Sequence, residues 1–318
     1  MSHTAPESAR FAFTERVNCP VCGRLDFQIL KKSSYDETLG EHELRRMYSA
    51  SSDTQLLDQL VRCKGCGLVY LNPRIKQDII LEGYRNAEDP LFIAQNEARI
   101  LTFRQCLEGI MRRHGVSPGT HPRVLDIGCA GGAFPKAASD LGFEVVGIEP
   151  SAWMATRARA RYDLDIRAGT LEEVDFKGER FDIITLWDVI EHMADPATAL
   201  QRIRSLLHPH GLLIVNYPDH ESLARKGLRS RWPFFLSVHL YYFSPATITR
   251  LLNHHGFQVR ETRPHWQKLP LGYVLKRASA HLPFLGMFAA MLEHRKMGMR
   301  AVSYNMGQTL VVASREHG

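Results

Sequence analysis

From residue 123 onward, short apolar runs alternate with capped helical stretches, and this alternation constrains the fold more than any other feature of the chain. RVLDIG at 123–128 reads as a strand, and AFPKAASDLG at 133–142 as a helix opened by Gly131 and Gly132. EVVGIE is the next strand, and SAWMATRARARY a helix with Ser151 as its N-cap. A short strand lies near LDIRAG. FDIITLWD is an apolar strand, and DPATALQRIRSLL a helix with Asp195 as cap and Pro196 at its first position. GLLIVNYP is a strand, SPATITRLLNHHG a helix, and FQVRETR and TLVVASR are late strands. An apolar strand needs cover on both faces, and helices between parallel strands supply it. The expected class is therefore α/β, a doubly wound parallel sheet.

The first strand runs into VLDIGCAGGAF at 124–134. A dinucleotide site would read GxGxxG and hold a pyrophosphate on the helix N-terminus. Here the middle glycine is missing, and Asp126 stands two residues ahead of Gly128, where a carboxylate repels a pyrophosphate. It suits a cationic or hydroxyl-bearing ligand. Glu149 ends the second strand, 21 residues after Gly128, where an acid can bind both ribose hydroxyls. A nucleoside with its ribose, no phosphate and a positive centre fits these residues, and S-adenosylmethionine is such a molecule.

Ahead of this region stand two CxxC pairs, Cys19 with Cys22 in VNCPVCG and Cys63 with Cys66 in VRCKGCG. The start of the chain, MSHTAPESARFAFTER, is unlike a signal peptide, and the longest apolar run, LPFLGMFAAML, is too short to span a bilayer. A cytoplasmic protein is the expectation, and there this spacing argues metal before disulfide. Each pair is followed by Gly, which lets amides turn toward the thiolates. Two such knuckles supply the four soft ligands of zinc and leave no open position, so the zinc is expected to be structural. The residues between the pairs are expected to hold a hairpin and a helix, at ELRRMYSA or TQLLDQLV. Residues 77–115 read as helical, with Ile100, Phe103, Leu107 and Ile110 at helical spacing and Gly115 ending the run. SPGTHP at 117–122 is a breaker cluster. The expected units are a zinc-ribbon-like unit at 1–76, a helical linker at 77–122, and a main domain at 123–318 with lid insertions near 219–243 and 264–305.

Taken together, DIGCAGGAF, GIEPS, FDIITLWDVIEHMADP and GLLIVNYP resemble the class I S-adenosylmethionine-dependent methyltransferases over about 120–262 plus the last strand. The resemblance implies a seven-stranded Rossmann-like sheet with a reversed final hairpin. It implies that Asp126, Gly128 and Gly131 line the methionine part of the cofactor and that Glu149 holds the ribose. Cys129 and Pro150 belong to the same cofactor-binding set. Thr170 and Leu171 would lie against adenine, and Asp188 would face the methionine end or the substrate.

Methyl transfer is an in-line displacement at an activated carbon, so the enzyme must align the nucleophile and remove its proton. Two places offer a base. In WDVIEH, Asp188, Glu191 and His192 are similar to an element of ubiquinone-type O-methyltransferases whose acids and His hold a divalent cation; a merely structural loop is the preferred reading. In SVHLYYFSPATI, His239 lies in the insertion over the sheet's C-terminal edge. Bacterial sugar C-methyltransferases, which also begin with a cysteine-rich zinc unit, carry a similar HLxYFS element whose His acts as a base. Theirs has a Glu before the His, where this chain has Val238. The alternative is a His that fixes the lid by hydrogen bonding. Tyr241 and Tyr242 line the pocket or belong to the core, and Trp232 and Arg231 would cap the cleft.

Charge bears on the substrate. Residues 219–318 hold 14 Lys/Arg against 5 Asp/Glu, while the chain as a whole is +6. This surplus suits an anionic substrate, a membrane surface or nucleic acid, or is a solvated face. Between 264 and 300, apolar residues mix with Lys276, Arg277, Arg295, Lys296 and Arg300, as in a patch lying on anionic lipid or a helical lid. The reading favoured is a methyltransferase acting on a small molecule: a sugar, a nucleotide sugar, or a polysaccharide or lipid precursor. An RNA methyltransferase is the first alternative, weakened because positive charge is not concentrated in the cysteine unit and no RNA-binding module is visible. A non-catalytic zinc-ribbon interaction protein is the second.

Overall fold

The structure, a computed structural model, describes residues 13–34, 55–116, 121–272, 275 and 301–316. The cysteine unit is built from short strands: β1 (Thr14–Glu15), β2 (Phe27–Lys31), β3 (Leu60–Cys63), β4 (Val69–Leu71) and β5 (Arg74–Ile75). β2, β3 and β4 form an antiparallel meander, and β1 pairs with β5. TQLLDQLV is not the helix expected of it. From Gln55 it runs extended into β3, because its amides find partners elsewhere: Leu56 N–H donates to the Phe235 carbonyl, and Leu57 N–H to Ser237 Oγ. ELRRMYSA lies outside the described residues.

Residues 77–115, expected to be helical within a linker at 77–122, form three helices: α1 (Gln77–Arg85), α2 (Pro90–Ile93) and α3 (Asn96–His114). Pro90 starts a new helix, capped by Asp89, whose Oδ1 accepts from Phe92 N–H at 2.8 Å. Gly115 ends α3 at φ 68°. Phe103, Leu107 and Ile110 of α3 are buried with Val124, Phe134 and Ala137, so this helix is a layer on the sheet rather than a spacer.

The rest of the chain follows the expected alternation: β6 (Arg123–Ile127), α4 (Ala133–Asp140), β7 (Glu144–Glu149), α5 (Ala152–Tyr162), β8 (Asp165–Ala168), β9 (Phe181–Trp187), α6 (Pro196–Leu206) and β10 (Leu207–Pro218). Then come α7 (Leu223–Leu228), β11 (Tyr241–Tyr242), α8 (Pro245–His254), β12 (Phe257–Pro264), β13 (Gln267–Pro270), β14 (Ala301–Tyr304) and β15 (Gln308–Arg315). The predicted caps form: Ser151 accepts from Met154 N–H, Asp195 from Ala197 and Thr198, and Ser244 makes a capping box with Thr247.

The seven-stranded sheet has the order β12-β15-β10-β9-β6-β7-β8. β8, β7, β6, β9 and β10 run parallel, and β15 enters antiparallel between β10 and β12. Only β15 is reversed, rather than the whole final hairpin. The order turns at β6 and β9, and ligands of such sheets bind in the crevice beyond the strand ends at that point.

Two insertions stand over this edge. One carries α7 and β11, and β11 pairs with β4, so the smaller sheet reads β11-β4-β3-β2 and ties the cysteine unit to the main domain. The other opens and closes on the antiparallel pair β13–β14. Lys276, Arg277, Arg295, Lys296 and Arg300 lie outside the described residues, as do 117–120 of the breaker cluster. Among the described residues, no helix is long and apolar enough to cross a membrane.

Candidate functional site

The turn after β6 is shaped by glycine. Gly128 has φ 70°, and a Cβ there would stand 2.7 Å from Val189 Cγ2, so both conformation and close approach exclude a side chain. Beneath the turn, Asp126 is 2% exposed and accepts from Thr185 Oγ1 at 2.5 Å, joining β6 to β9. Burial raises its carboxyl to about 8, with the Thr185 hydrogen bond working against the rise. Cys129 contributes only backbone to the turn. Its side chain is buried with Ala155, Ala158 and Ile166 in the core.

Glu149, at the end of β7, stitches the turn to the second strand. Its Oε2 accepts from Ala130 N–H at 2.8 Å and its Oε1 from Ser151 N–H at 2.9 Å. Burial raises this carboxyl to about 6, against the pull of the two amides. Each oxygen keeps a second lone pair. Past Pro150, Ser151 Oγ donates to the Ala87 carbonyl and pins the α1–α2 connection over the strand end. In the loop after β8, Thr170 N–H donates to Glu173 Oε2, and Leu171 is buried in the core.

Asp188 follows β9 at φ 54°. Its Oδ1 accepts from Asn216 Nδ2 at 2.7 Å and from Gln308 Nε2 at 2.6 Å, at the ends of β10 and β15. Burial raises its carboxyl to about 6, opposed by the Arg99 guanidinium. Around it, Trp187 Nε1, Asn216 Oδ1 and Gln308 Oε1 are buried without partners. Such orphaned polar atoms are what a polar ligand would satisfy.

Glu191 and His192, expected to join Asp188, gather also with His239, and Asp188 stands close enough to Glu191 to act on its carboxyl. Glu191 is 1% exposed, and neither carboxylate oxygen has a hydrogen-bond partner. Burial, reinforced by Asp188, pushes its carboxyl well up. His192 Nδ1 lies 2.8 Å from the Val238 carbonyl and 2.7 Å from Tyr84 Oη. His239 Nδ1 lies 2.8 Å from the Phe234 carbonyl. Burial lowers both imidazoles, His192 to about 4 and His239 well below its usual range. One ligand atom from each of the three residues lies within 4.8 Å of the other two.

The cysteine unit holds the loop that carries His239. Leu71 N–H donates to the Leu240 carbonyl at 3.0 Å, and Tyr241 pairs with Tyr70. Arg74 donates to Tyr241 Oη at 2.6 Å and to the Ala194 carbonyl at 2.9 Å. Tyr241 and Tyr242 are core residues here. Trp232 is 2% exposed, with Nε1 donating to the Met306 carbonyl, while Arg231 is exposed. The expected Trp232–Arg231 cap over the cleft is thus a buried Trp beside a solvated Arg.

The four cysteines are free thiols with Sγ atoms within 4.8 Å of one another; Cys19–Cys66 and Cys22–Cys63 are each 3.4 Å apart. Zinc–sulfur bonds of about 2.3 Å give a tetrahedron with edges of about 3.8 Å, so the donor set fits the metal. Gly65 N–H donates to Cys63 Sγ at 3.3 Å. Burial raises the Cys19 thiol, and that of Cys66 to about 11.

Two residues that the sequence reading missed complete the cleft. Asn96 is 1% exposed and donates to the Gly131 carbonyl at 2.8 Å, holding the turn from α3. Arg99, one turn on, stacks 4.1 Å over Phe92 with its Nε buried and unpartnered, close enough to Asp126 and Asp188 to lower both. The available signal was polar residues on the buried side of an otherwise apolar stripe.

Residues 96–262 match the methyltransferase domain family. A 99-residue stretch is 36% identical to the ubiquinone biosynthesis O-methyltransferase of Azorhizobium caulinodans, over 30% of this chain and 39% of that protein. A 98-residue stretch is 40% identical to the enzyme of the same name from Rhodopseudomonas palustris, over 29% and 38%. The chain thus spans about two fifths of the length of these relatives. Among solved structures, the magnesium protoporphyrin IX methyltransferase of Synechocystis with bound SAH is similar at TM-score 0.45 and 15% identity, covering 73% of this chain and 91% of that one.

Proposed function

The chain belongs to the methyltransferase domain family and is a class I S-adenosylmethionine-dependent methyltransferase, and from that premise we propose that it methylates a small-molecule acceptor at the Glu191/His192/His239 cluster. The observation that carries this reading is the meeting of His239 with Glu191 and His192, in the segment whose Val189 packs against Gly128 of the glycine turn. The curated relatives are O-methyltransferases by name, which favours an oxygen acceptor. Arg62 and Arg225 lie near His220, and Arg225 sits 5.6 Å over Phe235, which favours an acceptor bearing negative charge, such as a nucleotide sugar or a phosphorylated precursor.

S-adenosylmethionine supplies a methyl already activated on a sulfonium, so the protein's task is placement and proton removal. Gly128 and Gly131 leave backbone room for the methionyl part, and Glu149 offers free lone pairs to the ribose hydroxyls. Thr170 and Leu171 flank the adenine position. Asp188 and Arg99 offer opposite charges for the ammonium and carboxylate of the amino-acid end. Because a carbonyl only accepts, His239 Nδ1 donates to Phe234 and Nε2 keeps its lone pair for the acceptor's activation. The four cysteines hold a structural zinc, whose task is to keep the loop of His239 in place.

The test is methyl transfer from labelled S-adenosylmethionine to a panel of sugars, nucleotide sugars, hydroxylated aromatics and bulk RNA. Label on a small molecule is expected. Label on RNA alone would overturn the assignment.

A further inference from the structure

We propose that Arg62 of the cysteine unit and His220 and Arg225 of the first insertion form a phosphate-binding subsite, which holds a phosphate monoester or a pyrophosphate of the acceptor. The inference rests on the proposed function and names the charged group of its substrate. Sheet register brings the three residues together. Arg62 in β3 is paired with Val69 in β4, and Val69 with Tyr242 in β11. Directly paired residues point to one side of a sheet, so Arg62 shares a face with Tyr242. His220 meets Tyr242 there, ring to ring at 6.0 Å, and Phe235 at 5.9 Å. The Arg225 guanidinium lies 5.6 Å over Phe235.

The polar atoms gathered here lack partners. His220 is 7% exposed and its Nδ1 is buried without a hydrogen bond, as is Arg225 Nε. Among the described residues, neither Arg62 nor Arg225 is in an ion pair. Burial, then Arg225 and Arg62, lowers the His220 imidazole to about 4, and burial and Arg62 lower the Arg225 guanidinium. Two cations that repel each other beside an aromatic wall are a costly arrangement, and an anion relieves it. The acids on this side act elsewhere: Asp58 on Lys31 and Tyr242, and Glu221 on Asp219. Guanidinium forks match phosphate oxygens two at a time. Two of them, with an imidazole protonated at Nδ1, suit a dianion better than the single charge of a carboxylate. Arg62 is exposed and Arg225 half-buried, so the subsite opens to solvent beside the cysteine unit. Tyr242 also touches His239, ring to ring at 6.3 Å, so one ring separates the subsite from the histidine proposed to activate the acceptor.

The test titrates the full-length protein with inorganic phosphate and with pyrophosphate, by calorimetry at low salt. We expect saturable binding of one anion per chain. Arg62→Gln and Arg225→Gln should each weaken it about tenfold or more, the loss of one charge-assisted hydrogen bond. Arg231→Gln, at an exposed arginine of the same insertion, should leave it unchanged. Circular dichroism checks the fold of each variant, and Arg62→Gln, at an exposed position, decides the matter if Arg225→Gln does not fold. Tighter binding of pyrophosphate assigns the subsite to a diphosphate-linked acceptor, and tighter binding of phosphate to a monoester. No saturable binding at millimolar anion overturns the subsite, as does binding indifferent to both Arg62→Gln and Arg225→Gln. Methyl transfer measured in parallel separates the two ideas: transfer to uncharged small molecules without anion binding sinks only the subsite, and anion binding without transfer to any small molecule sinks only the acceptor reading.

Discussion

His192 and His239 come from different loops and meet edge to face, their ring centroids 4.7 Å apart. The contact is set from two sides. Glu191 gives its carbonyl to Leu240 N–H at 2.8 Å, and the next residues, Tyr241 and Tyr242, are taken up as a strand beside Tyr70 and Val69. The cysteine unit and the large sheet therefore share the segment that bears the second imidazole. His239→Asn is predicted to keep the fold and cofactor affinity while lowering single-turnover methyl transfer by about 10²-fold or more, the range for losing an activating group. An unchanged rate would reduce His239 to a fastener of the loop.

Cofactor affinity is predicted to fall as pH drops through 6. Burial raises the carboxyls of Glu149 and Asp188 to about 6 each. Ribose hydroxyls and an ammonium both favour the ionised form, so a proton competes with the cofactor. Affinity should be flat above pH 7 and decline below pH 6 by up to about tenfold per pH unit for each proton displaced. Stability moves the other way. Glu149 titrates near 4.3 when unfolded, so its contribution to stability is full below about 4.3 and is lost as pH rises through 6. Calorimetric titrations from pH 8 to 5 check the first trend, and Glu149→Gln should remove its share of the slope.

Most of the large sheet was legible because local and long-range requirements agree there. The FDIITLW run can only sit between covered faces, and Ser151, Asp195 and Ser244 announce their helices. What local signals do not carry is which distant segment takes an amide. TQLLDQLV spaces its leucines as a helix would, yet the amides of Leu56 and Leu57 are claimed by Phe235 and Ser237, some 180 residues on. The same kind of pairing, β4 with β11, brings His239 to Glu191 and His192, and two-residue strands leave almost no trace in a sequence. Cys129 shows the converse. It stands inside the motif, but its side chain turns down against Ala155 and Ile166, so motif membership did not give its direction.

Asp126→Asn and Asp126→Ala are predicted to differ sharply. A carboxyl raised to about 8 is mostly protonated at pH 7, and an amide matches its size and can still accept from Thr185. The Asn variant should unfold at nearly the wild-type denaturant midpoint. The Ala variant leaves a fully buried Thr185 hydroxyl unpaired and should lose about 1–3 kcal/mol. Equal losses in both would mean that the charge of Asp126 matters after all.

Loss of the zinc proposed for the four cysteines is predicted to abolish turnover before it abolishes cofactor binding. Cys63 ends β3, and Cys66 sits just ahead of β4, the strand that holds Tyr241 and, through Leu71, the Leu240 carbonyl. Loosening the knuckles therefore frees the loop of His239. The glycine turn is held from elsewhere, by Asn96 on the Gly131 carbonyl and by Glu149 on Ala130. In Cys63→Ser, the dissociation constant for S-adenosylmethionine should stay within about threefold of wild type, since a change of that size is well under 1 kcal/mol. Turnover should fall steeply, and limited proteolysis should open the chain near 234–240. If cofactor affinity falls in step with turnover, the cysteine unit supports the whole domain rather than one loop, and the division of labour argued from these contacts is wrong.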